Sequence, residues 1–149
     1  MTSVKRVPSR LRSDAELHVP QLVGKLMFEV RDQFAAENWD GLRQSHFRLI
    51  ANVHRDGISV TELAQALRMS KQACGQFVTQ LEATGHLAIG ADATDRRVRL
   101  VIRTPLGDRA LKAANARIRR IERKWARRVG PDRYATFREV LEELSTGKS

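Results

Sequence analysis

The 149 residues include a single cysteine, Cys74, which excludes an internal disulfide framework and suits a reducing compartment. Aromatic residues make up only 5% of the chain, which weakens any function that depends on stacking unpaired bases, as single-strand and RNA binders do. No apolar run approaches the roughly 20 residues that span a bilayer; the best, Leu22 to Phe28, is interrupted by Lys25. The basic first residues are not followed by an apolar stretch, so no signal peptide is read, and a soluble, cytoplasmic protein with no membrane partner is expected. His18, His46, His54 and His86 are scattered without metal-ligand spacing, and no metal site is expected. Asp92, Asp95 and Asp108 read as loop and helix-start residues with no nucleophile–base pair beside them. Neither catalysis nor a cofactor is expected.

What the chain has in excess is positive charge, 27 Lys and Arg against 17 Asp and Glu, for a net +10. Such a surplus points towards a polyanion. It is unevenly placed: residues 1–12 carry four basic groups and no acid, 68–104 a surplus of three, and 105–129 a surplus of seven. Residues 13–67 sum to −3 and 130–149 to −1, which sets the chain apart from a uniformly basic ribosomal type. An apolar content of 42% is enough for a packed core.

Periodicity supplies the elements. Residues 1–19 read as an arm with scattered basic groups, and Pro20 suits the first turn of a helix whose Val19, Val23, Leu26, Met27, Val30 and Phe34 recur at helical spacing up to about Asn38. A second helix carries Phe47, Ile50 and Val53 and stops near Asp56-Gly57. Ser59 and Glu62 form a capping box that opens a short helix burying Leu63, Ala64 and Leu67. After a tight connection at Arg68-Met69, Ser70 caps a helix from Lys71 to about Thr84, ended by Gly85, with Cys74, Phe77, Val78 and Leu81 as its buried stripe. The period then changes to two. Leu87 and Ile89 mark one strand; Val98, Leu100 and Ile102 mark the core face of another, with Arg97, Arg99 and Arg103 opposite. Thr104-Pro105 opens a long helix with Leu111, Ala114, Ile118, Ile121 and Trp125 on one face. Gly130-Pro131 breaks it, and a last helix carries Tyr134, Phe137, Leu141 and Leu144.

A short capped helix, a tight turn, a longer capped helix and a basic hairpin make a winged helix-turn-helix, within a mainly α (α+β) fold. A helix of this kind fits the DNA major groove, where first-turn side chains reach base edges and N-terminal amides favour phosphate. Here the exposed face comprises Ser70, Lys71, Gln72, Gly75, Gln76, Thr79 and Gln80, with no acid before Glu82. Gln can pair bidentately with adenine, although a glutamine-rich face is also what a merely solvated helix presents.

The order and spacing of several blocks resemble the MarR family of bacterial transcription regulators. The blocks are Phe47-Arg48-Leu49-Ile50, Thr61-Glu62-Leu63-Ala64, Ser70-Lys71-Gln72, Leu81-Glu82 with Gly85, Asp95-Arg96-Arg97 and Thr104-Pro105-Leu106-Gly107. The resemblance implies a homodimer on a near-palindromic double-stranded DNA operator, more often a repressor. It divides the chain into an N-terminal arm and dimerisation helix (1–40), the DNA-binding domain (41–104) and C-terminal dimerisation helices (105–149). It also implies a wing in which Arg97 enters the minor groove and Asp95 holds it. Arg96 and Arg99 are either phosphate contacts or simply exposed. A small aromatic or anionic effector is an implied partner, its site expected near Phe34, Trp39, His46 and Phe47, which serve equally well as core. Two departures stand out: Gly75-Gln76 occupies the place where the family often has arginine, and Arg103 that of a usual leucine. The glycine reads either as close approach of the helix backbone to DNA or as neutral drift, and Arg103 would add a basic group beside the wing. Some members of the family sense oxidants through cysteine, but Cys74 lies on an apolar stripe where a small buried residue is expected. The basic face of 105–129, with Arg117, Arg120, Lys124, Arg127 and Arg128, reads as solvated, as a DNA-backbone contact or as an attractor of anionic ligands.

Overall fold

The computed structural model describes residues 16–147, and most of the basic arm expected over 1–19 lies outside them. Six helices and one two-stranded antiparallel sheet follow in the order α1 (Val19–Ala35), α2 (Gln44–Ala51), α3 (Val60–Leu67), α4 (Lys71–Ala83), β1 (Leu87–Ala91), β2 (Arg99–Arg103), α5 (Pro105–Val129) and α6 (Pro131–Thr146). The fold is mainly helical with a winged helix-turn-helix at its centre. The first helix ends at Ala35 rather than near Asn38, because Trp39 folds back and its indole Nε1–H donates to the Phe34 carbonyl at 2.9 Å. The second is likewise shorter than its apolar pattern, ending at Ala51.

Local chemistry sets the helix-turn-helix. Ser59 Oγ accepts the Glu62 N–H at 3.2 Å while a Glu62 carboxylate oxygen accepts the Ser59 N–H, also at 3.2 Å. At the other end of α3, Arg68 takes a left-handed conformation with φ 51°, so that the Arg68 N–H reaches the Gln65 carbonyl and the Met69 N–H the Ala64 carbonyl. This reciprocal C-terminal bonding is usually made with glycine. Arg68 bears a strain of about 1 kcal/mol in its place and turns the chain directly into Ser70, whose Oγ accepts the Ala73 N–H at 3.1 Å and starts α4.

One core runs through the protomer. Val30 and Phe34 of α1, Phe47, Leu49 and Ile50 of α2, Leu63 of α3, Cys74, Val78 and Leu81 of α4, Leu87 and Val101 of the sheet, and Ala114 and Ile121 of α5 are all buried in it. The second strand corrects the sequence pattern. Val101, on the same side as Arg99 and Arg103, is its buried residue, and Val98 and Arg97 lie in the loop before the strand begins. The cause is a third segment: Ile58 exchanges both backbone hydrogen bonds with Val101, at 3.0 and 2.8 Å, and draws that face of β2 onto the core. Leu100 and Ile102 instead cover Gly57 and Gly90, where no Cβ stands in their way.

The start of α5 is the tightest seam. Thr104 Oγ accepts the Gly107 N–H at 3.1 Å and donates to the Gly85 carbonyl at 2.6 Å, while the Thr104 N–H reaches the His86 carbonyl. Gly107 is buried against that same carbonyl, and a methyl group added there would fall on the His86 oxygen. Gly107→Ala should therefore cost at least about 2–3 kcal/mol, since the obstacle is backbone and cannot rotate aside; thermal unfolding of the variant beside the parent checks this.

Candidate nucleic-acid interface

The exposed surface of α4 is built from the ends of its own helix. Ser70, Lys71, Gln72 and Gln76 are exposed and Gly75 is half-buried, with the free N–H groups of the first turn beside them. No acid lies in that turn. A Cβ at Gly75 would meet nothing within 4 Å, so nothing within the protomer calls for glycine there. The Thr79 hydroxyl, one turn on, donates to the Gly75 carbonyl at 2.9 Å.

Beneath α4, two side chains of α2 set its position, and neither was picked out for this by the sequence. His46 Nδ1 accepts the Arg43 N–H at 2.9 Å, which leaves the ring hydrogen on Nε2, 3.3 Å from Gln80 Oε1. The same ring packs edge-on against Phe77 at 5.4 Å. Arg48 sends Nη2 to the Leu67 carbonyl at 3.3 Å, an acceptor that the end of α3 leaves free. Both contacts join residues far apart in the chain, so no local pattern announces them.

The wing loop, residues 92–98, is ordered by two aspartates. Asp92 Oδ1 accepts from the Thr94 N–H and hydroxyl, each at 2.8 Å, and those bonds hold its carboxyl below its ordinary value. Asp95 Oδ1 accepts the Arg97 N–H at 3.0 Å, and its carbonyl accepts the Val98 N–H at 3.0 Å. Asp95 thus holds Arg97 by the main chain and leaves the guanidinium free at an exposed tip. Arg96 and Arg99 are exposed beside it. Arg103 is not a further wing cation: it is half-buried, its Nε lies 2.6 Å from Asp108, and Arg55 approaches the other oxygen of the same carboxylate at 3.0 Å. Burial alone would raise Asp108, yet the Arg103 hydrogen bond and the two guanidinium charges hold it below the usual carboxylate range.

A cleft of about 1010 Å³ separates α1, α2 and α5. Phe34, Trp39 and Phe47 line it, with Phe34 and Trp39 stacked at 5.2 Å and Trp39 edge-on to Phe47 at 5.1 Å. Arg31, Arg43 and Arg48 supply its cationic rim. His46, grouped with these aromatics in the sequence, faces α4 and is not part of the lining. Cys74 is fully buried, and that burial pushes its thiol above the ordinary value, away from the thiolate that oxidant sensing uses. Among the described residues no cluster of three or more His, Cys, Asp or Glu could hold a metal ion, and no helix is long and apolar enough to cross a membrane.

Fold and site together define a winged helix-turn-helix protein. Residues 40–98 match the model of the MarR family. A curated relative, the transcriptional activatory protein BadR of Rhodopseudomonas palustris, is 29% identical over 119 residues, covering 72% of this chain. This chain spans 66% of that relative's length. The crystal structure of MarR superposes with a TM-score of 0.77 at 21% identity, covering 89% of this chain and 92% of that one. A structure of Bordetella bronchiseptica BpsR, described as regulated in DNA binding by 6-hydroxynicotinic acid, gives 0.66 at 20% identity, covering 85% and 98%. Over residues 40–98 the chain is thus similar to the MarR family, and it shares the fold of that family's solved structures.

Two outcomes follow from this geometry. Gly75→Ala should stabilise the free protein by about 0.5–1 kcal/mol, because alanine is the better helix former and has room. If α4 approaches DNA through its backbone, the same variant should bind duplex DNA more weakly, and a titration beside the unfolding curve separates the two effects. The second outcome concerns pH. His86 is buried, with Nδ1 2.7 Å from Thr84 Oγ1, and burial lowers its pKa below the ordinary 6.5. The unfolded chain therefore takes up the proton first, so this contribution to stability is whole above about pH 6.5 and declines as pH falls below it. His86→Asn should flatten that part of a stability–pH curve.

Proposed function

We propose that the protein is a homodimeric regulator of transcription that holds a near-palindromic duplex operator through α4 and the wing of each protomer. It most naturally represses, by covering a promoter. The observation that carries this reading is the presence of two exposed elements: the capped, acid-free start of α4, with Gln72 and Gln76, and a wing loop that presents Arg97 on an ordered backbone. Phosphate contacts by Lys71, Arg96 and Arg99 would supply much of the affinity, while Gln72, Gln76 and Arg97 would supply the preference for sequence. In this reading residues 41–104 bind DNA and the segments 1–40 and 105–149 join the protomers.

Dimerisation is supported by apolar surface that a lone protomer leaves uncovered. On α1, Val19 is 66% exposed and Phe28 59%; on α6, which buries no residue of its own, Leu144 is 73% exposed. A second copy is the natural cover for such a surface.

Release by a small ligand is supported by the aromatic cleft with its three arginines. A planar carboxylate fits both its stacked walls and its guanidinium rim. Arg48 reaches from that rim to the Leu67 carbonyl at the helix-turn-helix corner, so an anion drawing Arg48 into the cleft would loosen the corner that aims α4. BpsR, with its aromatic acid, is a structural neighbour in keeping with this. A second reading, activation instead of repression, is favoured by the description of BadR as an activatory protein; the protein–DNA geometry is the same and only the operator's position differs.

Binding to the protein's own upstream DNA at fixed salt tests the docking. Arg97→Ala and Gln76→Ala should each weaken operator binding by about 1–3 kcal/mol and reduce its preference over random duplex. Unchanged affinity and preference in both variants would refute the docking model.

A further inference from the structure

The long helix α5 carries a face that the operator reading leaves unused. Arg109, Lys112, Arg119, Arg120, Arg123 and Arg127 are all exposed, and at 3.6 residues per turn they fall within about 100° of one another along roughly 27 Å of helix. None forms an ion pair among the described residues. The basic residues that do pair reach sideways, Lys124 to Glu29 of α1 at 3.8 Å and Arg117 to Glu37, just beyond the end of α1, at 2.9 Å. Both acids of α5 are engaged elsewhere: Asp108 by Arg55 and Arg103, and Glu122 by the Tyr134 hydroxyl at 3.1 Å. The stripe is therefore a run of six cations, none of them paired with an acid among the described residues.

We infer that this stripe is a second DNA-contact surface, gripping the phosphate backbone of duplex DNA outside the base pairs met by α4 and the wing. The inference rests on the DNA-binding reading above and extends it. Three observations favour duplex DNA as the occupant. Five of the six cations are arginine, whose planar fork suits phosphate oxygens. The stripe begins near the wing along the chain, since β2 enters α5 through Thr104 and the first cation, Arg109, follows within two turns. Like charges at i, i+4, such as Arg119 with Arg123 and Arg123 with Arg127, oppose helix formation unless an anion faces them. A duplex offers about sixteen phosphate charges over the same 27 Å.

The test combines Arg120→Gln, Arg123→Gln and Arg127→Gln in the full chain, exposed positions whose change leaves the core untouched. Affinity is measured between 50 and 200 mM salt for two 40-base-pair duplexes, one carrying the upstream region and one of random sequence. Each lost phosphate contact lowers the slope of log affinity against log salt by about 0.9. With three contacts removed from each protomer of the proposed dimer, the triple variant should therefore lose about five units of slope and at least tenfold in affinity on both duplexes alike, with operator preference and self-association unchanged. An unchanged slope overturns the inference, even where operator preference persists. So does weakened self-association with an unchanged slope, which would mean that the acids of a second copy cover the stripe. Parent protein that lacks operator preference but shows the slope change would sink the regulator reading and leave the stripe standing.

Discussion

The contact on which the rest of the molecule depends is the seating of α5 on the His86 carbonyl. The last turn of α4, the first residue of β1, the end of β2 and the first turn of α5 all meet there, joined by the Thr104 hydroxyl and by the missing side chain of Gly107. Recognition helix, wing and long helix are thus held in one rigid relation before any ligand is present. A rigid relation is what the proposed groove docking needs, because in that proposal α4 and Arg97 reach two different grooves at once. The same seam transmits orientation outward, since α1 and α6, which carry the exposed apolar surface, both pack against α5.

The element that connects the aromatic cleft with α4 is α2. It is eight residues long, yet it lines the aromatic cleft with Phe47 and Arg48 and holds the helix-turn-helix by two side-chain bonds, His46 to Gln80 of α4 and Arg48 to Leu67 of α3. Two hydrogen bonds at 3.3 Å are modest holds. Modest holds are suited to regulation, because a ligand can shift an equilibrium only by its difference in affinity for the two states. The strained left-handed Arg68 lies next to one of them.

Much of this was legible in the residues, and the reasons differ by element. Capping signals act locally, so Ser59 with Glu62, Ser70, and Thr104 with Pro105 located three helix starts to the residue. The Gly130-Pro131 break was equally plain. Burial within the sheet was not: alternation distinguishes two faces but cannot tell which one a third segment will cover, and Ile58 put Val101 inward. Arg103 was misread for the same kind of reason, since its partners Asp108 and Arg55 are brought to it by the fold. In the wing, Asp95 and Arg97 stand together as expected, but the bond runs to the main chain. The cleft kept Phe34, Trp39 and Phe47 and lost His46, whose ring was claimed by a helix start and by α4. Its arginines were invisible because a charged residue in a short amphipathic helix looks solvated until its neighbours are known.

The central claim is that a two-fold pair of α4 helices and wings reads duplex DNA by sequence. Selection of bound duplexes from a random pool tests it most directly, because preference and spacing emerge together. The account predicts enrichment of an inverted repeat whose half-site centres lie about one helical turn apart, roughly 10 base pairs, or a multiple of it. Recovery of a pool with no enriched sequence, or of a motif without two-fold symmetry, would contradict it.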